Sequence, residues 1–465
     1  MKSMHKPLRS LVSAAVLSTL ANTSLHAAGF ALYTEGSAVG IGNAGAGLAA
    51  EAADASIGWY NPAGLALIRD QQAVIGGVGI FPSAELTGFT TFRTRGFPGY
   101  TETFRDLDGA KDAFVPFFHY ARPVGENTTV GLSIVAPFGL ATDWPKSSPV
   151  RYSATFTELI TVNVSPEIGG KITDNFALGG GLDLQYARVK FNRILGSPAV
   201  LNASELPPNL FDSLSYNEGD SFGVGFHAGV MGIFNDNHTR IGLNYQSRMK
   251  HTFHGYSKLS GILADPSLFN ANTSFRTDNL FSNNIEFPEV VTLSGYHDVN
   301  ERFALLGSII YTRWDVINTI ELNNVAAALP GGGNAAVRSS STLNYDNSWR
   351  FALGANYKLT DCLMLRGGVS YDETPLTDAN RDVRLPDEDR VVLSIGAHYD
   401  VNPEIGVDVG YTYLYAAHDP RVNKTETIGT TSNFTVNARG DSDASLIGVQ
   451  AVWHMDRPEP LPPTK

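Results

Sequence analysis

The sequence predicts an all-β protein: a closed antiparallel transmembrane β-barrel of about fourteen strands, with an N-terminal hatch in its lumen. Three observations predict it. Apolar residues alternate with polar or small ones over runs longer than the roughly five or six residues usual in soluble sheets. The links between these runs alternate between tight turns and long segments, as in barrels of the outer membrane. An export signal precedes the first run.

Composition sets the frame. The 465 residues include 46 Gly, 25 Phe and 18 Tyr, and only 17% are charged, against roughly 25% in an ordinary soluble protein. Beyond the N-terminus no run of ~20 apolar residues could cross a bilayer as a helix. The aromatic content speaks against a disordered chain. Cys362 is the single cysteine, which excludes an internal disulfide framework and a Cys-cluster metal site. A formal charge of -12 speaks against a nucleic-acid partner, which is held by neutralising phosphate. No cofactor and no metal site are expected.

The first element is a signal peptide over 1–27. Lys2, Lys6 and Arg9 form its basic region, Leu11 to Leu20 its apolar region, and cleavage falls after Ala27. Losing those three cations takes the charge from -12 to -15. The second element, 28–70, is rich in Gly and Ala, with Gly36, Gly40, Gly42, Gly45 and Gly47 followed by Ala49-Ala50-Glu51-Ala52-Ala53. A barrel of this size is too wide for wall side chains to fill, and small residues pack closely, so 28–70 is read as a plug.

The barrel follows over 71–455. Expected strands are 72–82, 112–122, 127–137, 154–173, 175–193, 215–234, 238–254, 283–299, 302–321, 341–359, 362–373, 386–401, 404–416 and 442–455. In the tenth, Trp349, Phe351, Leu353, Ala355, Tyr357 and Leu359 oppose Arg350, Ala352, Gly354, Asn356 and Lys358. Ile405, Val407, Val409, Tyr411 and Tyr413 likewise oppose Gly406, Asp408, Gly410 and Thr412. The apolar set is assigned to lipid and the polar set to the lumen. Turns such as Thr173-Asp174-Asn175 and Asn235-Asp236-Asn237 alternate with the segments 194–214, 255–282 and 322–340. A soluble sandwich would space its turns more evenly. Closure is required because lipid cannot satisfy a sheet edge. A Pro-rich tail, 456–465, ends the chain.

Other motifs compete with this reading. Gly40-Ile41-Gly42-Asn43-Ala44-Gly45 matches the dinucleotide fingerprint, but a signal peptide stands where the required strand should be. Gly219-Asp220-Ser221-Phe222-Gly223 matches a nucleophile elbow, yet alternation continues where a helix is required. An outer-membrane barrel lipase therefore stays a minor alternative. Asp106, Asp108 and Asp112 lack the spacing of a calcium loop.

Two long links carry apolar residues. Leu206, Leu210, Phe211 and Leu214 lie in or beside the first, and Leu259, Ile262, Leu263, Leu268 and Phe269 in the second. Two readings stand: loops that pack together to shield the barrel mouth, or an apolar external groove that captures a hydrophobic ligand.

Several motifs resemble the FadL/TodX family of outer-membrane transporters: Ala28-Gly29-Phe30-Ala31-Leu32, Trp59-Tyr60-Asn61-Pro62-Ala63-Gly64-Leu65, Ala136-Pro137-Phe138-Gly139-Leu140 leading to Trp144, Val164-Ser165-Pro166-Glu167, and Phe287-Pro288-Glu289. The resemblance covers nearly the whole mature chain. It implies fourteen strands, an N-terminal hatch, and uptake of long-chain fatty acids or hydrophobic aromatics without bond chemistry. On this reading Phe30 and Leu32 contact ligand, Asn61 ties the hatch to the wall, and Pro62 and Ala63 complete the hatch motif. The implied surroundings are a Gram-negative outer membrane with its lipopolysaccharide and the barrel-insertion machinery. The chain departs from the family's usual aromatic C-terminus, with Trp453 the nearest substitute. A general porin for small polar solutes is the rival function; it would lack the plug and the apolar loops.

An exit is expected where the ladder weakens. Pro116 cannot donate to a sheet. Counting from the turn at Gly125 sets it opposite Ser133 or Ile134, with Gly131 nearby. The resemblance implies a lateral opening at an inward kink in the third strand.

Overall fold

The computed structural model describes residues 29–265, 267, 269–329 and 332–456. The expected signal peptide, Leu268 and nearly all of the tail lie outside them. Fourteen staves follow in chain order. The first is Gln72–Thr94; the second has two pieces, Tyr100–Asp108 and Ala113–Pro123. The third is Thr128–Val135 and Gly139–Asp143, the fourth Phe156–Thr173, the fifth Phe176–Leu195 and the sixth Ser213–Phe234. The seventh runs from Thr239 to Ser260, the eighth from Ser274 to Asp298, the ninth from Phe303 to Ala328 and the tenth from Asn334 to Lys358, each interrupted midway. The last four are Leu363–Asp372, Arg390–Asn402, Ile405–Ala416 continued by Arg421–Ile428, and Ser432–His454.

Each stave pairs antiparallel with the next in sequence, and the last pairs with the first from Gln72↔His454 to Thr94↔Ser432. The sheet therefore closes, which removes the edge that lipid could not satisfy. Its outer face is apolar. Leu353 is 69% exposed, Ile395 65% and Ile75 64%, and Leu178, Phe222, Leu293 and Val409 share that face. Alternate residues such as Asp183, Gln185, Arg366, Asp408 and Gln450 are buried on the lumen side. This polarity is the reverse of a soluble protein's.

Several expected long links are largely strand. His254–Ser260 pairs with Ser274–Ser282, and Thr319–Ala328 with Asn334–Thr342. Strands also occupy Gln72–Thr94, Tyr100–Asp108 and Arg421–Ile428, beyond the ends expected from alternation. Above the lipid both faces of a stave meet water, so sequences such as Ser274-Phe275-Arg276-Thr277-Asp278 lose the contrast between faces that alternation detects.

Before Gln72 the chain forms short helices, Ala38–Gly42, Ile57–Tyr60 and the 3-10 turn Pro62–Leu67. They pack on the lumen face of the wall. Ser37 caps Ala38–Gly42 by accepting from Gly40 N–H at 3.0 Å, the usual role of a serine at that position. Wall glycines make the approach possible. A Cβ on Gly179 would stand 2.3 Å from the Pro62 carbonyl carbon, and one on Gly242 1.8 Å from the Ala49 oxygen.

Candidate functional site

The N-terminal segment is held from around the lumen. Ala38 N–H donates to Gln450 at 2.8 Å, Gly47 N–H to Ser308 at 2.9 Å and Ala49 N–H to Ser294 at 3.1 Å. His119 donates to the Gly36 carbonyl at 2.7 Å, and Asn356 to Glu51 at 2.7 Å. Asn61, fully buried, donates to the carbonyls of Ala49 at 2.8 Å and Val230 at 3.1 Å. Its oxygen accepts from Ala63 N–H at 3.1 Å, while Pro62 opens the next turn. One amide thus joins two parts of the segment to the sixth stave.

Phe30 lies where this segment meets the wall. Its ring centroid is 4.7 Å from Trp314, 5.7 Å from Phe287 and 5.9 Å from Phe138, all edge to face. The Gly29 N–H donates to Asp387 at 2.9 Å. Above Phe30 opens an apolar cavity enclosing about 1240 Å³, part of it open to solvent. Leu140, Leu159, Val189, Phe253, Phe287, Ile317 and Leu343 line it from the wall, and Leu376 and Leu385 from the connection between the eleventh and twelfth staves.

One side of the cavity is charged, and its charges are matched. Arg193 stands 3.5 Å from Glu426; Arg384 is 3.2 Å from both Glu426 and Asp382. Lys424 lies 3.2 Å from Asp382. Burial alone would push the Asp382 carboxyl up, but the Lys424 and Arg384 charges hold it at about 2. It therefore stays ionised and keeps its connection seated. Trp144 adds a second tie, donating its indole N–H to the Val383 carbonyl at 3.1 Å.

The third stave bends inward between Val135 and Gly139. There Leu32 N–H donates to the Pro137 carbonyl at 2.8 Å and Gly139 N–H to the Phe30 carbonyl at 2.9 Å. Phe138 exchanges hydrogen bonds with the Thr161 hydroxyl at 3.0 and 2.6 Å. The backbone that leaves the wall thus finds partners inside. The ladder between the second and third staves reaches only Phe118↔Ile134. Higher up, Asp143 N–H donates to the Gly109 carbonyl at 3.0 Å. Between these points no ladder joins the two staves among the described residues.

This register corrects the pairing expected for Pro116. Pro116 pairs with Gly77 of the first stave, and extending the ladder past Phe118↔Ile134 sets it opposite Ala136, in the bend itself. Ser133 instead faces His119, with Oγ 2.8 Å from Nδ1. Gly131 pairs with Ala121, and a Cβ there would stand 2.7 Å from Glu167 Oε2. It makes room for Glu167 rather than weakening the ladder. Counting from the turn assumed regular pairing through residues that bend out of it.

The other candidates fall in different places. Phe30 lines the cavity, whereas Leu32 is buried in the cluster below it with Ile57 and Trp59. Leu206 and Phe269 are exposed, and Leu210, Phe211, Leu214, Ile262 and Leu263 half-buried. Phe211 and Phe269 meet edge to face at 6.1 Å, and Leu263 N–H donates to Ser213 at 3.0 Å, so the two segments touch. Leu259 is on the seventh stave, not in a loop, and is fully buried against Ala264 and Ala326. None of these external residues lines the apolar cavity. Apart from Phe30, the residues that do are not among those expected from sequence, although Pro137 and Pro288 inside expected strands signal interruptions and stand beside Phe138 and Phe287. Ser221 sits mid-strand in the sixth stave and accepts from Thr252 N–H at 3.1 Å.

A closed barrel with an apolar face for lipid, a filled lower lumen and an apolar cavity above it defines a transmembrane β-barrel of the Gram-negative outer membrane. Its family follows from comparison. Residues 18–454 match the family of outer membrane protein transport proteins (OMPP1/FadL/TodX), and the chain belongs to it. It is 29% identical to outer membrane protein P1 of Haemophilus influenzae over 94% of this chain and 98% of that one. It is 28% identical to the long-chain fatty acid transport protein of Escherichia coli O6:H1, over 91% and 94%. Among solved structures, a FadL homologue of Pseudomonas aeruginosa superposes with a TM-score of 0.77 at 23% identity, covering 92% of this chain and all of that one. The toluene transporter TodX of Pseudomonas putida gives 0.61 at 17% identity, over 93% and 99%. The family is one of transport proteins rather than enzymes.

Proposed function

We propose that this protein carries hydrophobic small molecules, long-chain fatty acids or aromatic hydrocarbons, into the outer membrane without chemical change. The apolar cavity floored by Phe30 carries the reading. The segment 29–70 acts as a hatch: it fills the lumen that a porin would leave open to water. Relatives named as a long-chain fatty acid transport protein and a toluene transporter support the ligand class. Capture begins outside, where Phe211 and Phe269 bring two apolar segments together. Release is sideways, through the parting of the second and third staves beside Pro137 and Phe138. That route spares an apolar molecule the polar lower lumen. No group on it needs to act as acid, base or nucleophile, and Ser221 serves as a wall residue. Cleavage after Ala27 and insertion through Trp453 by the barrel-insertion machinery, beside lipopolysaccharide, complete the proposed setting.

The test is uptake of hexadecanoate and of toluene by vesicles carrying the purified protein. Wild type is expected to take up at least one of them well above empty vesicles. A cysteine pair at 116 and 136, oxidised, is expected to slow that uptake severalfold while ligand binding in detergent stays unchanged. Full crosslinking with wild-type uptake would move the exit elsewhere. Sugar-driven swelling without uptake of either probe would make the protein a porin.

A further inference from the structure

Beneath the Phe30–Trp314 partition lies a second, smaller cavity, where charged side chains stand among apolar ones such as Ile310, Val392 and Leu414. Tyr33 and Glu35 of the N-terminal segment, Trp314, Arg350, Asp372 and Arg390 bound it. Trp314 is fully buried, 4.7 Å from Phe30 on the side of the upper cavity. Phe30 lines the upper space and Trp314 the lower, and the two rings meet between them.

The lower space lacks acceptors for some of its buried donors. Among its described lining residues, the buried side-chain polar atoms without a hydrogen-bond partner are all guanidinium nitrogens: Nε of Arg350, and Nε, Nη1 and Nη2 of Arg390. Arg390 is 4% exposed. Its Nη2 stands 3.1 Å from Asp387 Oδ1 but makes no hydrogen bond with it. Arg350 donates through Nη2 to the Ala44 carbonyl at 3.2 Å, and its Nη1 is 3.5 Å from Asp372. Glu35 accepts from the Thr34 hydroxyl at 3.1 Å. Buried donors without acceptors are costly, so the occupant has to bring acceptor oxygens. A carboxylate fits, because its two oxygens match the fork of a guanidinium. In the upper cavity, by contrast, Arg384 donates to both Asp382 and Glu426 at 3.2 Å.

We propose that Arg350 and Arg390 form a second ligand subsite, which takes the carboxylate head of a fatty acid whose tail lies across the Phe30–Trp314 partition in the apolar cavity. This rests on the transport reading and narrows it to ligands with a carboxylate. Water is the competing occupant.

The test compares hexadecanoate with methyl hexadecanoate, which shares the chain but lacks the charge. In vesicles, Arg390→Gln is expected to lower hexadecanoate uptake tenfold or more and to leave the methyl ester at the wild-type rate. Arg390→Lys, which keeps charge but not the fork, is expected to fall between. Equal loss of both probes, or loss of neither, overturns the subsite. A wild-type crystal structure with hexadecanoate tests it independently of variant folding. Carboxylate oxygens within hydrogen-bond distance of Arg390 support the subsite; only water there, with the head at Arg193 or Arg384, overturns it. Failure of the wild-type protein to take up either probe would overturn the transport of acyl chains itself.

Discussion

The same fourteen staves enclose two unlike lumens. Above Phe30 the inward side chains include Leu140, Leu159, Val189, Phe253 and Phe287, and they leave open space. Below it Ser294, Ser308, Asn356 and Gln450 grip the N-terminal segment through hydrogen bonds of 2.7–3.1 Å. Apolar contact has no required direction, so a ligand can settle there in many poses. Hydrogen bonds have narrow geometry, so the segment sits in one register. One wall thus leaves open space at one level and holds a segment at another: the chemistry of the inward positions decides, not the strands that carry them.

The largest expected effect comes from making the upper lumen resemble the lower. Phe287 is 2% exposed, with its ring 4.9 Å from Phe138 and 5.7 Å from Phe30. Phe287→Asp would place an unpaired charge there, at a cost of about 3 kcal/mol or more. Affinity for hexadecanoate is expected to fall about a hundredfold, measured by equilibrium binding in detergent. Unchanged affinity would show that the ligand site lies elsewhere.

Loosening the lower lumen is the next step down. Asn61→Ala leaves the Val230 and Ala49 carbonyls and the Ala63 N–H without this partner, worth about 1–3 kcal/mol in all. The N-terminal segment is expected to detach part of the time, so that sugars swell proteoliposomes faster while the barrel keeps its heat-dependent gel shift. Swelling as slow as in wild type would mean that the remaining bonds suffice to hold the segment.

The smallest effect belongs to the exterior. Phe211→Ser with Phe269→Ser is expected to slow uptake threefold to tenfold at limiting ligand and not at saturation, since each exposed ring offers only part of the ~1.5–3 kcal/mol of a fully buried one. Leu259, a candidate from sequence, is a poor choice for this test, because its full burial makes any loss ambiguous. A double variant with wild-type uptake would leave these segments the role of shielding the mouth.

How far the sequence reaches is visible in particular residues. Trp349 to Leu359 announced a lipid-facing strand because alternation is local: each residue's face follows from its neighbours. The same reasoning located most of the staves and the start of the barrel at Gln72. It faltered where both faces meet water, as in Asn334–Thr342. Phe30 and Asn61 were legible through their motifs. Pro116 lies in an unbroken strand paired with the first stave, and its position opposite the bend was not legible, since register past a bend depends on how far the third stave leaves the wall.

By itself, then, the sequence determined the strand periodicity, the face given to lipid and the resemblance to a family of transporters. Only the tertiary structure decided the rest. Leu159, Phe253, Phe287 and Leu376 share one cavity although they come from distant parts of the chain. Arg350 and Arg390 face one space because the tenth and twelfth staves flank the eleventh. The physical reason is the same for both: a strand's faces are set by its own alternation, whereas a cavity is what remains when many strands bend, close into a ring and admit a segment of the chain between them.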